Sequence, residues 1–296
     1  MGWIWIPVVL VALIPTGVTL LFYLIWYYDR RVAAAQDAEA PAAALPLGRA
    51  VGAVLLEALA LSVLVLGFPL RLLGDRISPP ARRSARRPVV LVHGYGGNSS
   101  NFLWLRWRLR HWGFTDCYAI SYTPPHINCR KLAAQVAEQV QQVLAVTGAQ
   151  QVDLVCHSMG GPLSRYALKH LGLAGKVGKV ITLGSPHYGT RMAALFAARG
   201  AAAQMRYHSP FVTELAEGGE CPGGARFYCL YSEMDNFVFP ARTATLAAAQ
   251  ENVQVSFLGH CSLLYSRRVA SIVREYLSSP DDRQVISGGD EAAADE

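Results

Sequence analysis

The sequence predicts an α/β domain with a mainly parallel sheet of about six strands and helices on both faces. Two N-terminal membrane-spanning helices precede it. Three observations carry this expectation. Short strand-like and helix-like segments alternate over residues 88–278, a pattern that makes neighbouring strands parallel. A strand-like run at 151–162, QVDLVCHSMGGP, stops at a serine followed by small residues. The hydrophobic excess of the chain is concentrated in residues 1–73: overall 52% of its 296 residues are hydrophobic and the mean hydropathy is +0.23.

In chain order, residues 4–28 carry no charge and are bracketed by Trp3, Trp5, Trp26, Tyr27 and Tyr28 before Asp29, Arg30 and Arg31. Length, aromatic belts and a charged stop fit a spanning helix. A cleaved leader would have a basic start and a shorter apolar core, so this segment is expected to be retained. Residues 50–70 form a second apolar run with one charge, Glu57. It either spans as well or lies as a partly buried helix on the membrane face. The division that follows is an anchor at 1–75, a basic linker at 76–87, a catalytic domain at 88–278 and a disordered acidic tail at 279–296.

The net charge is +6, and between Arg71 and Arg87 six arginines face one aspartate, Asp75, so that segment alone holds +5. The remainder is close to neutral, which argues against a nucleic-acid surface. The basic segment either meets anionic lipid or is a solvated linker. With two spans, its arginines outnumber Arg30, Arg31 and Arg49 of the intervening loop, and the positive-inside rule then favours a cytoplasmic catalytic domain; a single span reverses that argument. The six cysteines show no metal spacing with histidine. Cys221 and Cys229 flank a Pro-Gly-Gly loop and pair only if that side is oxidising. Cys156 and Cys261 read as small packing residues.

Within the domain, strands are expected at 88–93, 117–122, 152–156, 179–183, 227–231 and 253–258. Helices are expected at 101–112, 129–146, after Ser158, and at 263–277. Residues 190–219 exceed a minimal connection and read either as a mobile rim or lid or as an ordinary surface helix.

Reactive groups of such a sheet gather beyond the carboxyl ends of its strands, and three candidates fall there. Ser158 follows one strand, Asp235 the strand at 227–231, and His260 the last strand. A serine hydroxyl is a weak nucleophile until a base takes its proton. His260 can do so and later protonate the leaving group, and a carboxylate fixes the imidazole tautomer and stabilises its cation. Asp235 is the carboxylate of choice, with Glu233 as second candidate; Asp153 lies inside a strand. Two oxyanion donors are also needed: the backbone N–H of Met159, after the nucleophile, and that of Tyr95, in a loop whose Gly94 lets the chain approach substrate. His187 and Tyr188 are expected at the rim of the substrate site. His93 and His157 read as structural. The alternative for Ser158 is that it merely caps a helix.

Together VLVHGYGGN, VCHSMGG, TLGSPHYGT, SEMDNFVFP and GHCSLLYS, in that order, resemble the bacterial lipases and esterases of the α/β-hydrolase superfamily. The likeness runs from about residue 87 to 277. It is greatest to small Bacillus-type lipases, while PHYGT and the 204–211 segment are more similar to other triacylglycerol lipases. The departures are Cys156, where the motif has its first elbow glycine, and the two N-terminal spans. The resemblance implies a compact α/β-hydrolase that cleaves lipid-like carboxylic esters through an acyl-enzyme, without cofactor or metal. It implies Ser158, Asp235 and His260 as triad and Tyr95 and Met159 as oxyanion amides. The expected partners are the ester substrate and a bilayer, and the expected location is the bacterial cytoplasmic membrane, multi-pass. An acyltransferase with the same triad and a non-catalytic membrane scaffold are the alternatives.

Overall fold

A computed structural model of the chain describes residues 5–36, 46–73, 77–80, 86–195 and 199–280. Half of the expected linker at 76–87 and the acidic tail beyond residue 280 lie outside the described residues.

Six strands, β1 (Val89–Val92), β2 (Cys117–Ile120), β3 (Val152–His157), β4 (Val177–Leu183), β5 (Arg226–Tyr231) and β6 (Glu251–Gln254), form one sheet in the order β2-β1-β3-β4-β5-β6. Every neighbouring pair is parallel. The central strands are continuous apolar runs because both of their faces are covered. On β1, Val90 and Val92 pack towards α4 (Cys129–Thr147) and α5 (Gly160–His170). Val89 and Leu91 pack on the opposite face towards α3 (Leu103–His111) and α8 (Arg267–Ser278).

The helix ends follow local chemistry. The Asn128 side chain accepts the Arg130 amide at 2.7 Å to start α4, and Gly148 in the left-handed region ends it. Ser266 caps α8 in the same way. Most boundaries fall within two residues of the sequence expectation, and two elements depart further. The chain leaves the sheet after Gln254 and turns through Phe257 at φ 60°, so β6 is Glu251–Gln254 rather than a strand reaching residue 258. Val255 and Leu258 pack into the core beyond the end of the strand, where Val255 makes one last bond to β5 by donating its amide to the Tyr231 carbonyl at 2.8 Å. The closing helix is a 3-10 turn, Ser262–Tyr265, followed by α8.

N-terminal to the sheet, α1 (Trp5–Gln36) and α2 (Leu47–Gly67) pack on one another. Among the described residues one helix, spanning 47–71 with a mean hydropathy of 2.4, is long and apolar enough to cross a membrane by length and composition. Both helices also rest on the α/β domain. Tyr23, Trp26 and Ala53 form a buried cluster with Met192, Met234 and Phe239 of the sheet's carboxyl-end loops. Phe22 meets Phe237 edge to face at 4.8 Å, and Asp29 pairs with Arg191 at 3.1 Å. The outward faces carry exposed Leu20, Leu24, Leu55, Leu59 and Leu66. The helix pair is therefore docked on the domain, with its remaining apolar surface uncovered.

Candidate active site

The site lies beyond the carboxyl ends of β1, β3, β5 and β6. At the end of β3 the chain turns through Ser158, held at φ 53°, and enters α5. A non-glycine residue in this region is strained; here the turn lifts the serine off the sheet, and it is partly exposed while His157 and Met159 on either side are buried. Cys156 occupies a fully buried position, its thiol 3.2 Å from the Ser164 hydroxyl. Cysteine, a small residue, stands there where the motif has glycine.

The loop after β1 closes on this turn. A Cβ on Gly94 would stand 2.7 Å from the Ser158 Cβ, so only glycine lets the loop pass so near the hydroxyl. His93 holds the loop from behind. Its ring stacks on Tyr122 with centroids 4.0 Å apart, its Nε2 accepts the Tyr122 amide and its Nδ1 donates to the Gly94 carbonyl at 2.7 Å. Burial, only partly offset by the Gly94 bond, pushes its pKa down to about 4, so it stays neutral. Tyr95 is 41% exposed at the rim, and Met159 precedes the first turn of α5, where N–H groups have no intrahelical partner.

The loop after β5 presents Asp235. Its Oδ1 accepts the amides of Phe237 and Val238 at 2.9 and 2.8 Å, and its Oδ2 accepts His260 Nδ1–H at 2.9 Å. Both groups are buried. The two loops are laced together: Ser232 donates to the Leu258 carbonyl at 2.6 Å, Asn236 accepts the His260 amide at 3.3 Å, and Phe237 stacks on the imidazole at 4.9 Å. Burial pulls the His260 pKa down, but the Asp235 carboxylate, by charge and by hydrogen bond, and the charge of Glu57 outweigh it, leaving it above 6.5. His157 donates through Nε2 to the His260 carbonyl at 3.1 Å and is kept neutral by burial and by His260.

Ser158 and His260 line the same cavity, of about 260 Å³, and no hydrogen bond joins them in this resting arrangement. With Nδ1 bonded to Asp235, the opposite ring nitrogen, Nε2, is the one left for a proton from Ser158. Such contacts are commonly loose until substrate binds. The walls are mostly apolar. Leu61, Leu64, Val65 and Phe68 come from α2 and the turn after it, and Met192, Ala193, Ala202 and Met205 from the segment after β4.

Gly94 lines the cavity, but His187 and Tyr188 do not. His187 is fully buried against Thr182 and Cys229, and it is Pro186 that reaches the cavity. The expectation of a rim histidine is corrected: the Gly184–Ser185 turn carries the chain under the rim before it emerges. Glu233 is exposed and Asp153 pairs with Arg87 at 3.0 Å, so neither carboxylate meets His260. Cys221 and Cys229 are free thiols. The segment after β4 supplies wall residues from a 3-10 turn, Arg191–Leu195, and from α6 (Gly200–Gln204) and the Met205 that ends it, while α7 (Pro210–Ala216) packs behind without reaching the cavity; residues 196–198 lie outside the described residues. Ser232, Asn236, Phe237 and the α2 wall were not anticipated. The carboxamide next to Asp235 was a readable signal for Asn236. Nothing local marks the α2 contribution.

A six-stranded parallel sheet with a serine on the turn after its third strand, and an aspartate and a histidine on later loops, defines an α/β-hydrolase of the lipase and esterase type. The chain belongs to the lipase (class 2) family, whose model matches residues 86–260. A triacylglycerol lipase of Vibrio cholerae is 32% identical over 124 residues, 40% of this chain and 38% of that protein. One of Pseudarthrobacter phenanthrenivorans is 45% identical over 117 residues, 37% of this chain and 36% of that protein. The chain thus matches little more than a third of the length of these curated relatives. The mature Bacillus licheniformis lipase BlEst2 superposes with a TM-score of 0.57 at 21% identity, covering 68% of this chain and 96% of that one. Aspergillus fumigatus lipase B gives 0.60 at 19% identity, covering 71% and 58%. At such identities the structural likeness speaks for the fold.

Proposed function

We propose that the protein is a membrane-anchored serine ester hydrolase acting on lipid-like carboxylic esters. The observation that carries the reading is the buried Asp235–His260 hydrogen bond opening onto the same cavity as the serine of the elbow. Ser158 Oγ attacks the ester carbonyl as His260 Nε2 takes its proton. The carbonyl oxygen becomes an oxyanion that accepts the amides of Tyr95 and Met159. His260 then protonates the departing alcohol, leaving an acyl-Ser158, and water activated by the same imidazole releases the acid. Asp235 keeps the proton on Nδ1 and stabilises the cation.

The substrate class rests on the walls. Four of the residues around Ser158 belong to α2 or the turn after it, and they offer an acyl chain leucine, valine and phenylalanine rather than hydrogen bonds. The helix pair would hold this mouth at a bilayer, its exposed leucines towards lipid. That placement suits a substrate with an apolar chain and a polar ester. In purified full-length protein, Ser158→Ala is expected to abolish p-nitrophenyl ester turnover; a folded variant that keeps wild-type turnover would overturn the assignment.

A further inference from the structure

Glu57 sits on the inner face of an apolar helix, where an ionisable side chain is costly and calls for a partner. It is 1% exposed. Its partners are not on its own helix: Oε1 accepts the amide of Cys261 at 2.7 Å, and Oε2 accepts that of Ser262 at 2.8 Å. These are the two residues that follow His260. The carboxylate clasps consecutive amides of the segment that delivers the imidazole, across more than two hundred residues of sequence. Two accepted amide hydrogen bonds, one on each oxygen, favour the carboxylate form.

A second observation points the same way. A Cβ on Gly259 would lie 2.4 Å from Glu57 Oε2 and 2.6 Å from the Tyr23 hydroxyl. The residue before His260 is thus pressed against both anchor helices, and no larger residue fits without moving one of them. The small residues Ala53 and Ala60, buried on the same α2 face, permit the approach.

We propose that Glu57 is a positioning residue for His260, so that the second anchor helix is part of the catalytic unit as well as a tether. This rests on the reading of His260 as the base. Asp235 fixes the imidazole from Nδ1, Asn236 holds its amide, and Glu57 holds the two amides beyond it, leaving the His260 backbone pinned on both sides. The titratable groups acting on the ring are Asp235, Glu57 and His157, and Cys261 and Tyr23 stand beside Glu57 and Asp235. Of these Asp235 and Glu57 supply the negative charge that favours imidazolium.

The test uses full-length protein in detergent micelles, with p-nitrophenyl esters and a fluorophosphonate label on wild type, Glu57→Gln and Leu59→Ala. Glutamine has one acceptor oxygen and would oppose an NH₂ group to one of the two amides. Glu57→Gln is expected to lower kcat by about 10²-fold, the scale of a small misplacement of a catalytic group, with KM little changed. The acid limb of kcat/KM should move to lower pH. Leu59→Ala, on the exposed side of the same helix, should leave both unchanged. A merely structural carboxylate would change stability without moving the acid limb. A folded Glu57→Gln protein with wild-type kcat and profile overturns the proposal. If Glu57→Gln does not fold, Gly259→Ala, which drives a methyl group at the same carboxylate, is read by the same criteria of kcat and profile. Labelling of the wild type keeps the two readings apart: an unlabelled wild type sinks the hydrolase reading, whereas a labelled wild type with an indifferent Glu57→Gln sinks only the role of Glu57.

Discussion

His260 has one carboxylate on its ring and another on the two amides that follow it, and both act on its proton affinity. Its neutral form is the base, and its pKa stands above the ordinary 6.5 because Asp235 and Glu57 outweigh burial. Activity should therefore fall as pH drops through a value above 6.5. A pH profile of kcat/KM measures this, and an acid limb at or below 6.5 would contradict the account. Asp235→Asn should cost about 10⁴-fold in kcat, the scale seen when a triad loses its orienting carboxylate. The variant should still fold, because the amide oxygen can accept the Phe237 and Val238 amides that Asp235 now takes. Loss of kcat together with loss of the thermal transition would instead assign Asp235 a structural role. At this scale the sequence was most legible where chemistry demands one residue type. Ser158, Asp235 and His260 could be picked as candidates from their places after successive strands, their order and the surrounding motifs. His187 was misplaced because Pro186 beside it does reach the cavity, and a motif cannot say which of two neighbours faces in.

Among the elements, α2 has two faces with different work. Its inner face supplies Leu61 and Leu64 to the cavity, and its outer face carries Leu55 and Leu59. Leu61→Trp should fill part of the cavity and lower kcat/KM for long-chain esters at least about tenfold, a loss of 1.4 kcal/mol or more, while acetate ester turnover is retained. A chain-length series reads this directly, and an equal loss at every length would remove α2 from the acyl site. The strand and helix alternation was legible because each central strand is buried on both faces and reads as an apolar run. The end of β6 was not, since Val255 and Leu258 are apolar for packing and periodicity cannot separate packing from pairing. Glu57 looked like a blemish in an apolar helix. Its partners at 261 and 262 are too distant in sequence for any local pattern to reveal.

In the whole molecule, the N-terminal helix pair and the α/β domain share a buried cluster, an ion pair and the wall of the cavity. The sequence suggested a tether, a linker and a separate enzyme, because composition changes abruptly at residue 88; docking of one unit on the other leaves no trace in composition. The apolar N-terminal quarter of the chain supplies part of the cavity wall, and in the proposed reading its uncovered leucine face is the surface offered to lipid. The central claim is that Ser158 is the nucleophile this whole arrangement activates. The most direct measurement is fluorophosphonate labelling of the full-length protein followed by peptide mass spectrometry. The account predicts one phosphonylated residue, Ser158, with labelling lost in Ser158→Ala and slowed in Asp235→Asn. Labelling of another serine, or none in a folded protein, would contradict it.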